Sequence, residues 1–267
     1  VGSKLLKFMQ ENGVSTEYMT VRSSQKSAIS LAFLNQKGDA DYMFYKNVPQ
    51  IEDKWKRPDV ENGDILIFGS YNAICSGTRP QVEEMLDKME QYNSIVYYDL
   101  NFRRPHRDEL DALLPTIHSN FRKSTIVRGS ADDFDIMFEL RDAKEIYRKH
   151  ISPYCPIFIC TSGEGIITVC TPQNTYEFQT PQIEDVVSTV GAGDNFNAGF
   201  CCSLLRNNLQ REDLSLFNYE GWSLLIKDAC DFAGNVCRST ENYISKSFGA
   251  TYRENCGRGM FKATEVD

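Results

Sequence analysis

Histidine is scarce in this chain and positive charge is in deficit. Among 267 residues there are three histidines and no C-x-x-C pair. His106, His118 and His150 are not spaced as a metal pair. The nine cysteines are an odd number, with Cys201 adjacent to Cys202. They read as small apolar residues of a reducing, cytoplasmic compartment, and no zinc site is expected. Lysine and arginine total 29 against 37 acidic residues, a net charge of −8. That balance argues against a nucleic-acid partner held mainly by phosphate neutralisation. No apolar run approaches the roughly 18 residues of a bilayer span, and the N-terminus lacks a secretory pattern, so no membrane partner is expected. No Walker-type G-x-x-x-x-G-K-[ST] occurs either. An anionic ligand would have to be held by local devices such as converging backbone N–H groups.

What the chain does have is alternation. DILIFGS (64–70), SIVYYDLN (94–101), STIVRGS (124–130) and PIFICTSG (156–163) are short apolar runs. Segments long enough for helices separate them, such as 80–92 and 132–149. This predicts a mostly parallel sheet with crossover helices, a doubly wound α/β fold. GIITVCT (165–171) and TYEFQTP (175–181) predict a hairpin over PQN. AISLAFL (28–34) and DYMFY (41–45) predict a second hairpin turning at Gly38, a small β lid beside the sheet. Phe196, Phe200 and Leu204 recur at i, i+4, i+8 as a buried helix stripe, and 222–238 continues as another helix. One domain is expected over 1–267, with 28–46 as part of the lid. Val1 already lies in a helical pattern, so a preceding segment is expected.

Open α/β sheets bind ligands at the carboxyl ends of their strands. Asp99, Asn101 and Arg103 follow one predicted strand, Ser130 to Asp133 a second, Thr161 and Gly163 a third. The stretch STVGAGDNF (188–196) adds Gly191, Ala192 and Gly193 running into Asp194 at a helix start. Without side chains at 191 and 193, successive N–H groups can converge on an anion, and the helix dipole adds to their pull. Such a cradle stabilises charge on a transferring phosphoryl group, and Asp194 beside it can take a proton from an attacking hydroxyl. The same letters also suit a plain helix start, with Asp194 as a cap and the glycines permitting a tight turn. Likewise Asp132 and Asp133 suit first-turn acids, and Arg103 and Lys46 suit solvated loops. A dinucleotide fingerprint fails, because residue 196 is Phe where it needs Gly.

STVGAGDNFNAGF resembles the D-T-x-G-A-G-D-x-F-x-x-G signature of the ribokinase/PfkB family of carbohydrate kinases. YYDLNFRRP (97–105) is similar to the D-x-N-x-R segment of its fructokinase-like members. IVRGSADDF (126–134) is similar to the strand leading into N-x-x-E, and CTSGEG (160–165) to the T-x-G-x-x-G nucleotide loop, one residue short. Order and spacing hold over nearly the whole chain. The resemblance implies a ribokinase-like kinase that uses ATP and Mg²⁺ to phosphorylate a sugar hydroxymethyl group, with fructose the best acceptor. Ribose, a keto-deoxy sugar acid or a nucleoside are the alternatives, as is a non-catalytic nucleotide- or sugar-binding relative.

The resemblance also implies roles. Asp194 becomes the catalytic base and Gly191, Ala192 and Gly193 the anion hole. Thr161 and Gly163 fall near the nucleotide phosphates and ribose, and either Gly234 or Asn235 on the adenine side. Asp99, Asn101 and Arg103 fall near the sugar and the phosphate path, and Lys46 falls on the lid where relatives often carry Arg. Ser130-x-x-Asp133 replaces N-x-x-E, leaving Asp133 to orient magnesium-bound water rather than to ligate the ion. Ser188 stands where the family has an Asp that helps bind a monovalent cation, so dependence on that ion is an open question. The family's first strand and Gly-Gly sugar motif would precede Val1. By analogy the lid would pair two copies into a homodimer.

Overall fold

Successive residues of the central strands face opposite sides of the sheet, and all are buried except Ser130 and Thr161, which end two of the strands half-buried. In the computed structural model, which describes residues 1–21, 26–34, 40–45 and 56–256, helix α1 (Gly2–Glu11) comes first. Strands β1 (Ile29–Leu34) and β2 (Ala40–Tyr45) then form a two-stranded antiparallel sheet. The main sheet follows: β3 (Ile65–Gly69), α2 (Arg79–Gln91), β4 (Ile95–Asp99), α3 (Leu110–Lys123), β5 (Ile126–Ser130), α4 (Ala131–Phe138), α5 (Ala143–Ile146) and β6 (Ile157–Thr161). Strands β7 (Ile166–Cys170) and β8 (Thr175–Gln179) complete it, before α6 (Ala192–Arg206), α7 (Tyr219–Cys237) and α8 (Lys246–Cys256).

The six strands lie in the order β3-β4-β5-β6-β7-β8. The first four are parallel, and β7 and β8 turn back antiparallel, so the hairpin predicted at 165–181 extends the main sheet. Tyr98, Val127 and Phe158 enter one core with Phe121 of α3 and Phe134 of α4. Their neighbours Tyr97, Ile126 and Ile159 enter the other with Phe200 of α6 and Trp222 and Leu225 of α7. Period-two alternation between two helical layers explains why these strands read as unbroken apolar runs.

Helices α6 and α7 lie close together because Gly199 has no side chain. A Cβ there would sit 2.6 Å from the Asp228 carbonyl oxygen and 2.9 Å from Ala229 Cα. The predicted stripe Phe196, Phe200 and Leu204 is buried along this contact. Segment 132–149 divides into two helices. Glu139 takes a left-handed conformation (φ 56°) that ends α4, and Asp142 restarts the chain by accepting from Glu145 N at 2.7 Å.

Strands β1 and β2, the expected lid, pair Ile29 with Tyr45 and Leu31 with Met43. These four side chains and Phe33 share one face, and all are exposed. The predicted turn at Gly38 and the lid residue Lys46 lie outside the described residues. Among the described residues no disulfide is present, and no helix is long and apolar enough to cross a membrane.

Candidate active site

Three neighbouring parallel strands end at one edge of the sheet, and the start of α6 faces them. Strand β4 delivers Asp99, β5 delivers Arg128 and Ser130, and β6 delivers Thr161. Beyond β4 the chain bends at Asn101 (φ 41°), whose Nδ2 donates to Ser70 Oγ at 2.9 Å. Ser130 caps α4. Its Oγ accepts from Asp133 N at 3.2 Å, while Asp133 Oδ2 accepts from Ser130 N at 2.7 Å and from Ser130 Oγ at 2.8 Å. Asp133 is therefore a buried member of a capping box. Burial raises its carboxyl above the usual range, against the pull of the Ser130 hydrogen bonds and Arg128.

The turn before α6 needs Gly191. Its φ is 82°, and a Cβ would lie 2.9 Å from Asn242 Cβ and 3.1 Å from the Asn242 carbonyl oxygen. Asn195 locks the turn in place, its Nδ2 donating to Gly191 O at 2.9 Å and to Asn242 O at 3.0 Å. The helix cap is Gly191 itself, so Asp194, three residues on, is not the cap. Its side chain stays exposed at the edge of a cleft. Partial desolvation and then the Asp99 charge raise the Asp194 carboxyl above its ordinary value, while Arg128 and Arg103 pull it down.

Beneath this turn lies a buried polar chain. Arg128 Nη1 contacts both Asp99 oxygens, at 3.3 and 3.1 Å, and Nη2 donates to Thr161 Oγ1 at 2.8 Å. Asp99 Oδ2 also accepts from Asn197 Nδ2 at 2.6 Å, and Asn197 Oδ1 accepts from the Tyr97 hydroxyl at 3.0 Å. Burial opposes the charge on Arg128, but Asp99 outweighs it and the guanidinium holds its proton more firmly than usual.

Two clefts meet here. One, of about 580 Å³, is walled by Tyr71, Asn101, Phe102, Arg103 and Asp194. The other, of about 460 Å³, is walled by Thr161, Gly163, Ile183, Ala192, Gly234 and Phe248. Arg128, Ser130, Asp132, Thr189 and Gly193 belong to both. One polar wall between two chambers, with a helix N-terminus at the junction, can align two substrates and stabilise an anion passing between them.

The structure thus gathers Asp99, Asn101, Arg103, Ser130, Asp133, Thr161, Gly163 and residues 191–194 around this pair of clefts. Asn235 is placed differently. It is absent from both walls and its Oδ1 accepts from Ser245 N at 2.9 Å, whereas Gly234 lines the second cleft. Asp99 lines the first cleft, but its oxygens are engaged by Arg128 and Asn197. Sequence reasoning passed over Arg128, Asn195, Asn197 and Asn242. Only Arg128 carried a signal, as a charge inside an apolar central strand, where arginine is rarely buried unpaired. Ser188 is buried, and its Oγ accepts from Val190 N at 3.2 Å.

Solved structures share this architecture and define its class. Aminoimidazole riboside kinase from Salmonella enterica, complexed with aminoimidazole riboside and an ATP analogue, matches with a TM-score of 0.74 over 93% of this chain and 81% of that one, at 18% identity. A fructokinase double mutant from Vibrio cholerae O395, in its fructose-, ADP- and potassium-bound form, matches with a TM-score of 0.75 over 93% and 80%, at 15% identity. The fold is therefore ribokinase-like, the predicted α/β class.

The model of the pfkB family carbohydrate kinases matches residues 1–235, and the chain belongs to that family, a family of phosphotransferases. Among curated relatives, the ATP-dependent 6-phosphofructokinase of Thermoanaerobacterium thermosaccharolyticum is 26% identical over 219 residues, 81% of this chain and 67% of that protein. The probable fructokinase-5 of Arabidopsis thaliana is 24% identical over 253 residues, 91% and 74% of the two chains.

Proposed function

We propose that this protein is an ATP-dependent kinase that transfers the γ-phosphoryl group to the hydroxymethyl group of a sugar, with fructose the foremost acceptor. The observation that carries this reading is the position of Asp194 and the Gly191–Gly193 turn at the junction of the two clefts. Gly234 and Phe248 suit the adenine side of the second cleft, Thr161 and Gly163 the ribose and phosphates, and the α6 N-terminus the end of the phosphate chain. Asn101 and Arg103 suit the sugar in the first cleft.

The residues present fit a magnesium ion carried in by the nucleotide. Among the described residues no cluster of three or more His, Cys, Asp or Glu side chains could hold a metal directly. Magnesium commonly keeps several waters and takes few protein carboxylates. Asp132 and Asp133, on the wall of the first cleft, are the carboxylates available to orient such water. When bound, the ion would neutralise phosphate charge.

The chemistry assigned to the chain's own groups is then short. The acceptor hydroxyl oxygen forms the new O–P bond as the bond to ADP breaks and ADP leaves with that electron pair. Asp194 accepts the hydroxyl proton, and the N–H groups of the 191–193 turn face the charge that grows on the transferring group. To act as base, Asp194 must be ionised, and desolvation and Asp99 raise its pKa. Activity is therefore lost on acidification at a pH above the ordinary carboxylate range, and a kcat/KM profile checks this. An acid limb at ordinary carboxylate values would argue against Asp194 as the base.

A stacked Tyr71–His106 pair, with ring centroids 4.0 Å apart, stands beside Phe102 in the first cleft. That aromatic wall favours a second reading, a riboside acceptor that carries a planar base. Release of ADP in the presence of fructose, ribose, a keto-deoxy sugar acid or a nucleoside separates the two. No ADP release with any of them would favour a binding protein over a kinase.

The exposed apolar face of the lid supports pairing of two copies through β1 and β2. Light scattering should give twice the chain mass, and Leu31→Glu should return it to the monomer mass. A monomeric parent protein rules the lid dimer out.

A further inference from the structure

We infer that Arg128 is a phosphate-contacting residue of this site, its guanidinium stationed on the wall shared by the two clefts to meet the γ-phosphoryl group. The inference rests on the kinase reading and adds to it a residue that the helix N-terminus and Asp194 do not require.

Three features set Arg128 apart from an ordinary structural ion pair. First is its place. Strand β5 is central, and its neighbours Ile126 and Val127 are wholly buried in the two cores, yet Arg128 points to where both clefts open. Second is its incomplete pairing. Both terminal nitrogens are engaged, by Asp99 and Thr161, but Nε is buried with no hydrogen-bond partner among the described residues. Arginine is only 7% exposed here, and an unpaired buried donor is retained at a cost to stability. Third is contact with the anion turn. A Cβ on Gly193 would lie 3.3 Å from Nη1 and 3.4 Å from Nη2, so the missing side chain opens the cradle onto the guanidinium.

Rigidity follows from the partners. Tyr97 orients Asn197, Asn197 and Arg128 share Asp99, and Thr161 holds the far side of the fork. A planar guanidinium so fixed can turn the N–H groups left over from Asp99 and Thr161 to a phosphate oxygen with little loss of side-chain freedom. Asp99 balances the charge before substrate arrives. A buried ion pair is seldom worth more than apolar packing for stability alone, so its retention at this junction points to the ligand.

The experiment compares two nucleotides that differ in the γ-phosphate. Calorimetry measures binding of ADP and of a non-hydrolysable ATP analogue, each with magnesium, to the parent protein and two variants. Arg128→Met combined with Asp99→Asn removes both charges together and leaves neither stranded. Arg128→Lys keeps the charge but loses the fork. The double variant should weaken the ATP analogue about tenfold or more while changing ADP by less than about twofold, an expected size for a lost charge-assisted contact. Arg128→Lys should show the same selectivity with a smaller loss, and it serves alone if the double variant does not fold. Equal weakening of both nucleotides, or no change in either, would make Arg128 purely structural and overturn the inference. A parent protein that binds neither nucleotide overturns the kinase reading, and the inference with it.

Discussion

Asp194→Asn is expected to lower kcat by about 10²- to 10⁴-fold, the range for loss of a positioned general base, while nucleotide affinity is held. Asparagine keeps the shape of the side chain at the third position of α6 and leaves the Gly191 cap and the 191–193 N–H groups unchanged. It cannot accept the hydroxyl proton. The competing view, that Asp194 is only an acid in a first helical turn, predicts a different signature. That role is worth about 0.3–1 kcal/mol of stability and nothing in catalysis. Steady-state kinetics with a thermal melt separate the two. A small shift in melting with near-parental turnover would remove Asp194 from the mechanism.

The second large effect is structural and reaches the site from a distance. Gly199→Ala places a methyl group 2.6 Å from the Asp228 carbonyl oxygen and 2.9 Å from Ala229 Cα. Both are backbone atoms of α7, which is itself anchored by the buried Trp222, Leu225 and Ala229. Neither helix can yield without disturbing a packed layer. Overpacking of this kind costs about 1–3 kcal/mol, against which the better helix propensity of alanine returns at most about 1 kcal/mol. The melting midpoint should fall by several degrees, taking about 2–4 °C per kcal/mol for a domain of this size. Because α6 begins at the Gly191 turn on the wall of the first cleft, turnover should fall as well. An unchanged midpoint would show that the helices are not as tightly opposed as these distances require.

Much of the architecture was legible in order. The strands at 64–70, 94–101, 124–130 and 156–163 formed where β-branched and aromatic residues run together, since strands covered on both faces need no polar side. The stripe Phe196, Phe200 and Leu204 turned its one apolar face inward. The cluster at 188–200 was legible because a glycine-bounded turn before a helix is a local device, encoded in adjacent letters. Other features escaped for the opposite reason. The break at Glu139 depends on one residue adopting a left-handed conformation, and nothing in the spacing of 132–149 marks it. Helix α8 has a short polar sequence whose apolar contact, Phe248 and Tyr252 against Phe232, is supplied by another helix.

By itself, then, the sequence determined the α/β alternation, the mostly parallel sheet and the glycine-bounded turn with its carboxylate at the start of α6, all consequences of neighbours along the chain. Tertiary structure alone decided the electrostatics of the site. Arg128 finds Asp99 and Thr161 across 29 and 33 positions, and Asn195 finds Asn242 across 47. Those meetings depend on which strands lie side by side and on where the chain returns after α7. They, and not the motif, choose Gly234 over Asn235 for the wall of the second cleft and set the charge that Asp194 faces.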